Sequence, residues 1–253
     1  MILRRFMKHV TDQNWFAVGL DVLVVIVGIF LGLQVQALYE ERDERDREMD
    51  YLERFHEDIE QNIEVIEESI KHQLVFQEMG KFVLQTIDHP ELVNERPTYF
   101  ILSIEAAAYA TPPNISSNTF EALNLNGDRL IFRDEQLLYE LTDYYNAINR
   151  SPVSNRPEIP QLQLNYFMIS SGILTSGQLD EINTKGPFSE DYQFSEEEAL
   201  AVYDRMLGRP EFKNFLPRAT GHNFRIRVYQ RWLDQAKVLG DKLKQKLTME
   251  PTL

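Results

Sequence analysis

The sequence predicts an all-α protein in which one N-terminal transmembrane helix continues into a long amphipathic helix, followed by a helical body closed by a long C-terminal helix. The first observation behind this fold class is the apolar run over residues 15–38, the one membrane-length segment of the sequence. The second is the spacing of three and four residues between apolar positions behind the run, which is the period of an α-helix. The third is that no stretch alternates apolar and polar residues over a useful strand length.

The composition favours one folded body behind an anchor and excludes several classes of function. The 253 residues are 43% hydrophobic and 26% charged, as in ordinary globular proteins, so wholesale disorder is not expected. The net charge of -14 disfavours nucleic acid and anionic lipid as partners, because phosphate binding needs a basic surface. The absence of cysteine excludes a disulfide, a thiolate metal site and a cysteine nucleophile.

Residues 15–39 are predicted to span a membrane as an anchor that is retained. At about 1.5 Å per residue the apolar run is roughly 36 Å long, which covers a hydrocarbon core of about 30 Å. No A-x-A cleavage site follows it, and the chain passes through Gln34 and Gln36 without a helix breaker. Trp15 and Tyr39 lie where interfacial aromatic residues are expected. These features favour an anchor over a cleaved signal peptide.

Basic residues flank the anchor on both sides, and residues 1–14 form the basic N-terminal flank. The cationic residues are Arg4, Arg5 and Lys8 before the anchor and Arg42, Arg45 and Arg47 after it. The first flank is short and purely basic near its start, whereas acids interleave the arginines of the second. We therefore expect a bacterial inner-membrane protein with its N-terminus in the cytoplasm and its body in the periplasm.

A stripe of Asp21, Val25, Gly28 and Gly32 within the anchor predicts a seam between copies of the chain. Gly28 and Gly32 form a small-x-x-x-small pair, which lets two helix backbones approach closely in lipid. Asp21 lies two helical turns before Gly28, and a carboxylate inside a membrane is costly unless it finds a partner. The alternative interpretation is that Asp21 is shallow enough to reach the headgroups and that the glycines are incidental.

Residues 40–88 are predicted to form a helical stem that continues the anchor. Its apolar residues follow nearly straight-helix periodicity, and they are Leu52, Phe55, Ile59, Ile63, Ile66, Ile70 and Leu74. Acid-to-arginine pairs at i, i+4 favour a solvated helix surface, and they are Glu41–Arg45, Asp43–Arg47 and Asp50–Arg54. The less favoured interpretation of this charge run is a cation-binding or docking collar.

Residues 89–248 are predicted to form the helical body. The pair His89-Pro90 ends the stem, because proline disfavours helical geometry in the residue before it. Helices are then expected over 99–110, 117–123, 134–148 and 161–174, with loops over 149–160 and 175–193. Leu138, Leu141 and Tyr145 supply the buried face of the helix over 134–148.

The last third of the chain carries clearer helix signals. Ser195 and Glu198 form a capping box that opens a helix ending near Leu207. A long helix is expected over 212–247, with apolar residues at Phe224, Val228, Trp232, Ala236, Leu239 and Leu243. Because both terminal helices are amphipathic, we expect the first and last helices to pack together. Residues 249–253 are expected to be a loose tail.

The anchor and stem resemble the opening of an uncharacterised family of bacterial single-pass membrane proteins, a domain of unknown function. The segment that carries the resemblance is DVLVVIVGIFLGLQVQALYEERDERDREMDYLERFHEDIEQN. The family shows an acid, then LVVxGIxxALQ, then polar residues and a charged helix with a YL pair. The matching positions here are Asp21, Gly28, Leu33, Gln34 and Tyr51-Leu52. Gly32 stands where alanine is usual, and Ala37-Leu38-Tyr39 replaces the usual Asn-Trp-Asn.

A second block resembles the body segment of the same family. This block is NTFEALNLNGDRLIFRDEQLLYELTDYYNAI, in which a short helix, an xxGxxxxI turn and a helix with a YY pair follow one another. Together the two blocks cover most of residues 20–150. The resemblance implies no activity, so it does not assign a function.

Motifs for catalysis are absent from the sequence, and two weak patterns for metal binding remain. No GxSxG, phosphate loop, dinucleotide fingerprint or HExxH occurs, and no cofactor is expected. Glu53 and His56 form a single E-x-x-H, whereas di-iron bundles need two. Glu64, Glu68 and His72 share a helix face that a divalent cation could use, although long acidic helices produce such triads by chance.

Three functions from different classes follow. The favoured one is a membrane-anchored, self-associating interaction or scaffold protein, whose partners would be the bilayer, further copies and an unidentified membrane or envelope protein. The alternative is an extracytoplasmic sensor of a small molecule or cation, with a pocket among the aromatic residues of 143–146 and 165–168. A metal-dependent enzyme is the third, and it would require the acidic and histidine residues of the stem to cluster with carboxylates of another helix.

Overall fold

Helices contain most of the residues that the computed structural model describes, which are 15–107, 109–151, 153, 163, 166–167, 171–186, 188–189, 191–221 and 224–249. No residue in these ranges lies in a strand, as the sequence predicts. The helices are α1 (Trp15–Asp88), α2 (Glu91–Glu95), α3 (Pro97–Ala106), α4 (Asn118–Asn126), α5 (Glu135–Asn149), α6 (Ser176–Lys185), α7 (Glu196–Leu207), α8 (Pro210–Gly221) and α9 (Phe224–Met249). A 3₁₀ turn over Asp128–Ile131 joins α4 to α5.

Helix α1 is one unbroken helix of 74 residues, so the predicted anchor and stem form a single element. At about 1.5 Å per residue it is roughly 110 Å long. Among the described residues, one helix, near the N-terminus, is long and apolar enough to cross a membrane. All of the residues described between Val22 and Arg47 are exposed, and burial begins at Glu48. The body is therefore built around the second half of α1 alone.

Helix α9 packs along α1 in the antiparallel direction, which confirms the predicted pairing of the first and last helices. Lys237 of α9 pairs with Glu67 of α1 at 2.6 Å, and an added Cβ at Gly240 would lie 3.5 Å from Ile59. The residue numbers of α9 thus rise as those of α1 fall. The C-terminal end of α9 consequently points toward the apolar half of α1.

The half of the body nearer the apolar run is a four-helix arrangement of α1, α4, α5 and α9. Its buried side chains, here called the proximal core, are Tyr51, Leu52, Phe55, Ile59, Ile66, Phe120, Leu123, Phe132, Leu137, Leu138, Leu141, Tyr144, Tyr145, Ile148, Val153, Tyr229, Trp232, Leu233, Ala236, Leu239 and Leu243. Helices α5 and α9 supply more than half of it, because their apolar residues recur at helical spacing, although Phe224 of the predicted face is 40% exposed.

The far half of the body packs around the end of α1 and forms a second, distal core. It combines α1 residues from Phe76 to Val83 with α2, α3, α6, α7 and α8. Gly80 lies at its tightest point, where an added Cβ would lie 2.0 Å from Cγ2 of Thr220 in α8. The distal core therefore depends on a glycine where α1 and α8 meet.

Several predicted elements are confirmed with shifted ends. The helices expected over 99–110, 117–123 and 134–148 are α3, α4 and α5, and the capping box of Ser195 and Glu198 opens α7. Asp134 is the N-cap of α5, since its carboxylate accepts a hydrogen bond from the Leu137 amide. The expected helix over 161–174 and loop over 149–160 lie largely outside the described residues. Residues 1–14 and 250–253 lie outside them as well.

Three local predictions are wrong. The expected loop over 175–193 contains α6, and the one helix expected over 212–247 is divided into α8 and α9. Leu74, placed in the buried stripe of the stem, is 45% exposed, whereas Gln73 and Phe76 are buried. The reason is that the buried face of α1 shifts around the helix between Ile66, its last buried residue in the proximal core, and Phe76, its first in the distal core.

Candidate functional site

The predicted seam residues lie on a part of α1 that contacts no other described element. Val25 is 60% exposed, and an added Cβ at Gly28 or Gly32 would have no heavy atom within 4 Å. Asp21 lies in α1, but its side chain is outside the described part of the structure. The two glycines thus leave a shallow, open strip of helix backbone, which is the geometry that close helix packing in lipid requires.

The first turns of the stem carry the predicted ion pairs. Arg45 and Glu41 lie 2.6 Å apart, and Arg47 and Asp43 lie 3.3 Å apart. The hydrogen bond from Arg45 is the main reason why the pKa of Glu41 lies below its ordinary value. Arg54 also pairs with Asp50. Because these pairs are exposed and screened, they contribute little stability and mark a solvated surface.

Hydrogen bonds hold the 3₁₀ turn of the body against this solvated part of the stem. Asp128, in the 3₁₀ turn, accepts hydrogen bonds from Tyr51 at 2.9 Å and from Arg47 at 3.3 Å. Arg133, just after the turn, reaches Glu41 at 3.4 Å, and its backbone amide donates to buried Glu48 at 2.8 Å. The body is thereby fixed against α1 close to the end of the apolar run.

A polar contact inside the proximal half fixes the start of α4 on α1. Asn62 is fully buried, and its amide donates to the Ser116 carbonyl at 3.0 Å and accepts from the Ser116 amide at 2.7 Å. Asp58, one turn earlier, accepts from the Ser116 hydroxyl at 2.7 Å and from the Thr119 amide at 3.1 Å. Asp58 thus caps α4, whose own N-cap residue makes no side-chain capping bond.

The weak metal candidates of the stem are not brought together with each other. His72 lies 3.8 Å from Glu68 and stacks on Phe188 with ring centroids 4.4 Å apart. His56 pairs with Glu60 at 4.0 Å, while Glu53 and Glu64 are exposed. Within the described residues, no group of three histidine or carboxylate side chains is placed to hold a metal ion. The geometry of this part of α1 is that of a solvated helix face.

The aromatic residues proposed to line a pocket mostly fill the proximal core. Tyr144 and Tyr145 are each 1% exposed, and Tyr145 stacks on Phe120 with centroids 4.9 Å apart. Burial raises the pKa of both phenols. Asn165 and Met168 lie outside the described residues. Of the second half, Tyr166 is 77% exposed and Phe167 packs against the distal core, so the described residues of the two halves belong to different parts of the body.

An open groove runs along the outer surface between α5 and α9. Its volume is about 370 Å³, and Tyr144 lies at its base. The other lining residues are Tyr139, Glu140, Asp143, Arg231, Asp234, Gln235, Val238, Leu239 and Lys242. The lining combines acidic, basic and apolar side chains, so the groove suits a peptide segment or a small amphipathic molecule. The apolar spacing of α5 and α9 does not predict this feature.

Among the described residues, one carboxyl group is buried in the distal half. Glu105 of α3 is 6% exposed, and burial raises its pKa, while a hydrogen bond with Tyr109 acts in the opposite direction. Burial, reinforced by the nearby Glu105 carboxylate, raises the pKa of the Tyr109 phenol. The sequence signal that could have identified this pair is the i, i+4 spacing of an acid and a tyrosine on an otherwise apolar helix.

No protein-family model, no curated protein and no solved structure matches the chain. The membrane-length helix and the helical fold are therefore established by the structure alone, and the family resemblance of the anchor and body segments stays a prediction.

Proposed function

We propose that the protein is a membrane-anchored, self-associating interaction or scaffold protein of the bacterial inner membrane. The observation that carries this proposal is the open glycine strip on α1, where Gly28 and Gly32 leave the helix backbone uncovered. In lipid, apolar side chains gain nothing from burial against each other, so close backbone packing at small residues drives association. The unbroken helix beyond the strip links such an association directly to the body.

In this proposal the N-terminus lies in the cytoplasm and the body in the periplasm. The argument for this orientation is the basic flank of residues 1–14, since lysine and arginine near a span are retained on the cytoplasmic side. The exposed, charged outer surface of the body would then contact a membrane or envelope partner. Nucleic acid is excluded from the proposed partners because the net charge is -14.

The test is self-association in a membrane two-hybrid assay with full-length chains. Gly28→Ile together with Gly32→Ile should strongly reduce the signal, because branched side chains hold the two backbones apart. Leu23→Ile together with Phe30→Ile is the matched control, since these residues lie on the opposite face of the helix and should leave the signal unchanged. An undiminished signal in the glycine double variant would contradict the proposed helix contact at Gly28 and Gly32.

A second candidate function is an extracytoplasmic small-molecule or cation sensor, and the groove between α5 and α9 favours it. Its volume of about 370 Å³ falls at the lower end of the range for small-ligand sites, about 300–1,000 Å³. However, Tyr139 and Val238 are 65% and 54% exposed, so an occupant would keep much of its surface in water. Ligand sites usually enclose most of their ligand, and the scaffold function therefore remains our proposal.

A further inference from the structure

The face of α1 that continues the glycine strip into the stem carries only acidic charge. At about 100° per residue, each residue of the stem can be placed around the helix relative to Gly28 and Gly32. Between Glu40 and Ile70, no lysine or arginine lies within roughly 40° of the line through the two glycines. The carboxylates within that sector, here called the acidic face, are Asp43, Asp46, Asp50, Glu53, Glu57, Glu64 and Glu68.

The acidic face is exposed and lies opposite the body. All of its residues are exposed to solvent. Phe55, Ile59 and Ile66, which α1 contributes to the proximal core, lie roughly 180° around the helix from the line through the glycines. The described helices of the body therefore pack on the other side of α1 and leave the acidic face to solvent.

Much of the charge on the acidic face has no partner within the chain. Arg47 pairs with Asp43 at 3.3 Å, and Arg54 pairs with Asp50, so arginines beside the face neutralise two of its carboxylates. Among the described residues, no ion pair involves the other four carboxylates between these positions and Glu68, which are Asp46, Glu53, Glu57 and Glu64.

Two parallel copies that meet at the glycines would bring their acidic faces toward each other, because the unbroken α1 carries the orientation of the glycine strip into the stem. A coiled coil would need apolar residues where these carboxylates lie, so the helix contact cannot simply continue along the stems. Like charges on neighbouring helix surfaces repel, and salt screens this repulsion beyond about 10 Å at 0.1 M. The glycines thus favour contact within the membrane, whereas the stems oppose it outside.

We propose that repulsion between the acidic faces opposes self-association at Gly28 and Gly32, so that ionic strength regulates how tightly two copies bind. At low ionic strength the stems are held apart, and the two α1 helices touch only within the membrane. At high ionic strength the carboxylates are screened, and the pair becomes tighter. This inference rests on the proposed self-association, because the repulsion acts only where two copies meet.

The experiment removes charge from the acidic face without touching the glycines. The variant replaces three carboxylates that make no ion pair, with Glu53→Gln, Glu57→Gln and Glu64→Gln. The matched control removes the same charge from exposed positions of three other helices, with Glu95→Gln, Asp204→Asn and Asp241→Asn.

Self-association is measured by energy transfer between full-length chains that carry a donor or an acceptor dye. The natural absence of cysteine allows a single label at Val238→Cys, which is 54% exposed on α9. The labelled chains are reconstituted in phosphatidylcholine vesicles and diluted with further lipid. Because screening depends on salt, each chain is compared in about 20 mM and in about 500 mM sodium chloride.

We expect the wild type to associate more tightly in high salt than in low salt. In low salt the acidic-face variant should associate roughly 3- to 10-fold more tightly than the wild type, because each like-charge pair weakens the contact by about 1.5- to 2-fold. The two chains should converge in high salt, where the charges are screened. The control variant should match the wild type in both conditions.

Equal association of the variant and the wild type in low salt would overturn the inference and leave the proposed self-association intact. Weaker association of the variant would also overturn it, because the carboxylates would then hold the copies together through a shared cation. The same gain in the control variant would overturn it too, since the effect would then come from net charge. A lack of association in every chain would overturn both this inference and the proposed function.

Discussion

At the scale of single residues, the polar contacts of α1 decide how the body is assembled. Asn62 exchanges two hydrogen bonds with the backbone of Ser116, and Asp58 caps α4 from outside that helix. A buried backbone amide or carbonyl left without a partner costs about 1–3 kcal/mol, so these two side chains select the position of α4. Sequence reasoning cannot find such pairs, since the partners are more than fifty residues apart.

Glu105 provides a pH-dependent test at this scale. Its pKa is raised in the folded protein by burial, so the folded state is penalised when the carboxylate is charged. The penalty is absent below the ordinary value of 4.5 and grows as the pH rises through the raised pKa. We expect Glu105→Gln to gain stability relative to the wild type as the pH increases. Chemical unfolding in mild detergent from pH 4 to pH 8 measures this difference.

A second variant separates burial from hydrogen bonding at the same carboxyl. Tyr109→Phe removes the hydrogen bond that lowers the pKa of Glu105. The penalty should therefore still begin near the ordinary value of 4.5, but it should become larger and reach its full size at a higher pH in this variant. A stability difference between Glu105→Gln and the wild type that does not change with pH would contradict the explanation.

At the scale of elements, close approaches between helices depend on glycines in different surroundings. Gly80 and Gly240 both lie inside helices, and their added Cβ atoms would meet Thr220 Cγ2 at 2.0 Å and Glu60 Oε1 at 3.1 Å. Thr220 is buried and its hydroxyl donates to the Leu216 carbonyl, so it is held in place. The carboxylate of Glu60 is exposed and can move aside.

The same substitution should consequently have opposite effects at these two positions. We expect Gly80→Ala to destabilise the protein by about 1–3 kcal/mol through overpacking. Gly240→Ala should be neutral or stabilise by up to about 1 kcal/mol, because alanine favours the helix. Thermal or chemical unfolding of the two variants in parallel measures the difference. Equal effects would show that α8 does not pack against Gly80 as described.

The helix signals in the sequence identify some of the helices and fail to identify others. Ser195 and Glu198 marked α7 because a capping box satisfies backbone amides whatever the surroundings. Thr175 and Gln178 form an equivalent box that opens α6, but Gly177 and the polar character of the segment masked it. Amphipathic spacing could not locate the division between α8 and α9, since the spacing continues across it.

Of the candidate site, the sequence predicts only which residues of the anchor lie on one face of the helix. Gly28 and Gly32 were found because helix geometry fixes which residues of one helix share a face. The position of the turn over Asp128–Ile131 cannot be predicted from the sequence, since it depends on contacts of Asp128 and Arg133 with α1.

At the scale of the whole molecule, the anchor and the body are separable. The described residues from Val22 to Arg47 are exposed, and none of them belongs to either core. We expect a chain that begins at Glu40 to be soluble, helical by circular dichroism and cooperative in thermal unfolding. A chain that begins at Asp58 is the control, because it lacks Tyr51, Leu52 and Phe55 of the proximal core. Loss of cooperative unfolding in the first chain would mean that the anchor supports the fold.

The continuity of α1 has a consequence for symmetry. Two parallel copies that meet at Gly28 and Gly32 would be related by a two-fold axis along the membrane normal. Such an axis keeps equivalent residues of both copies at equal heights above the bilayer, and the unbroken α1 of 74 residues links this arrangement directly to the bodies. Contacts between the two bodies would then involve the same surface of each copy. A single substitution on that surface would therefore occur twice in the interface.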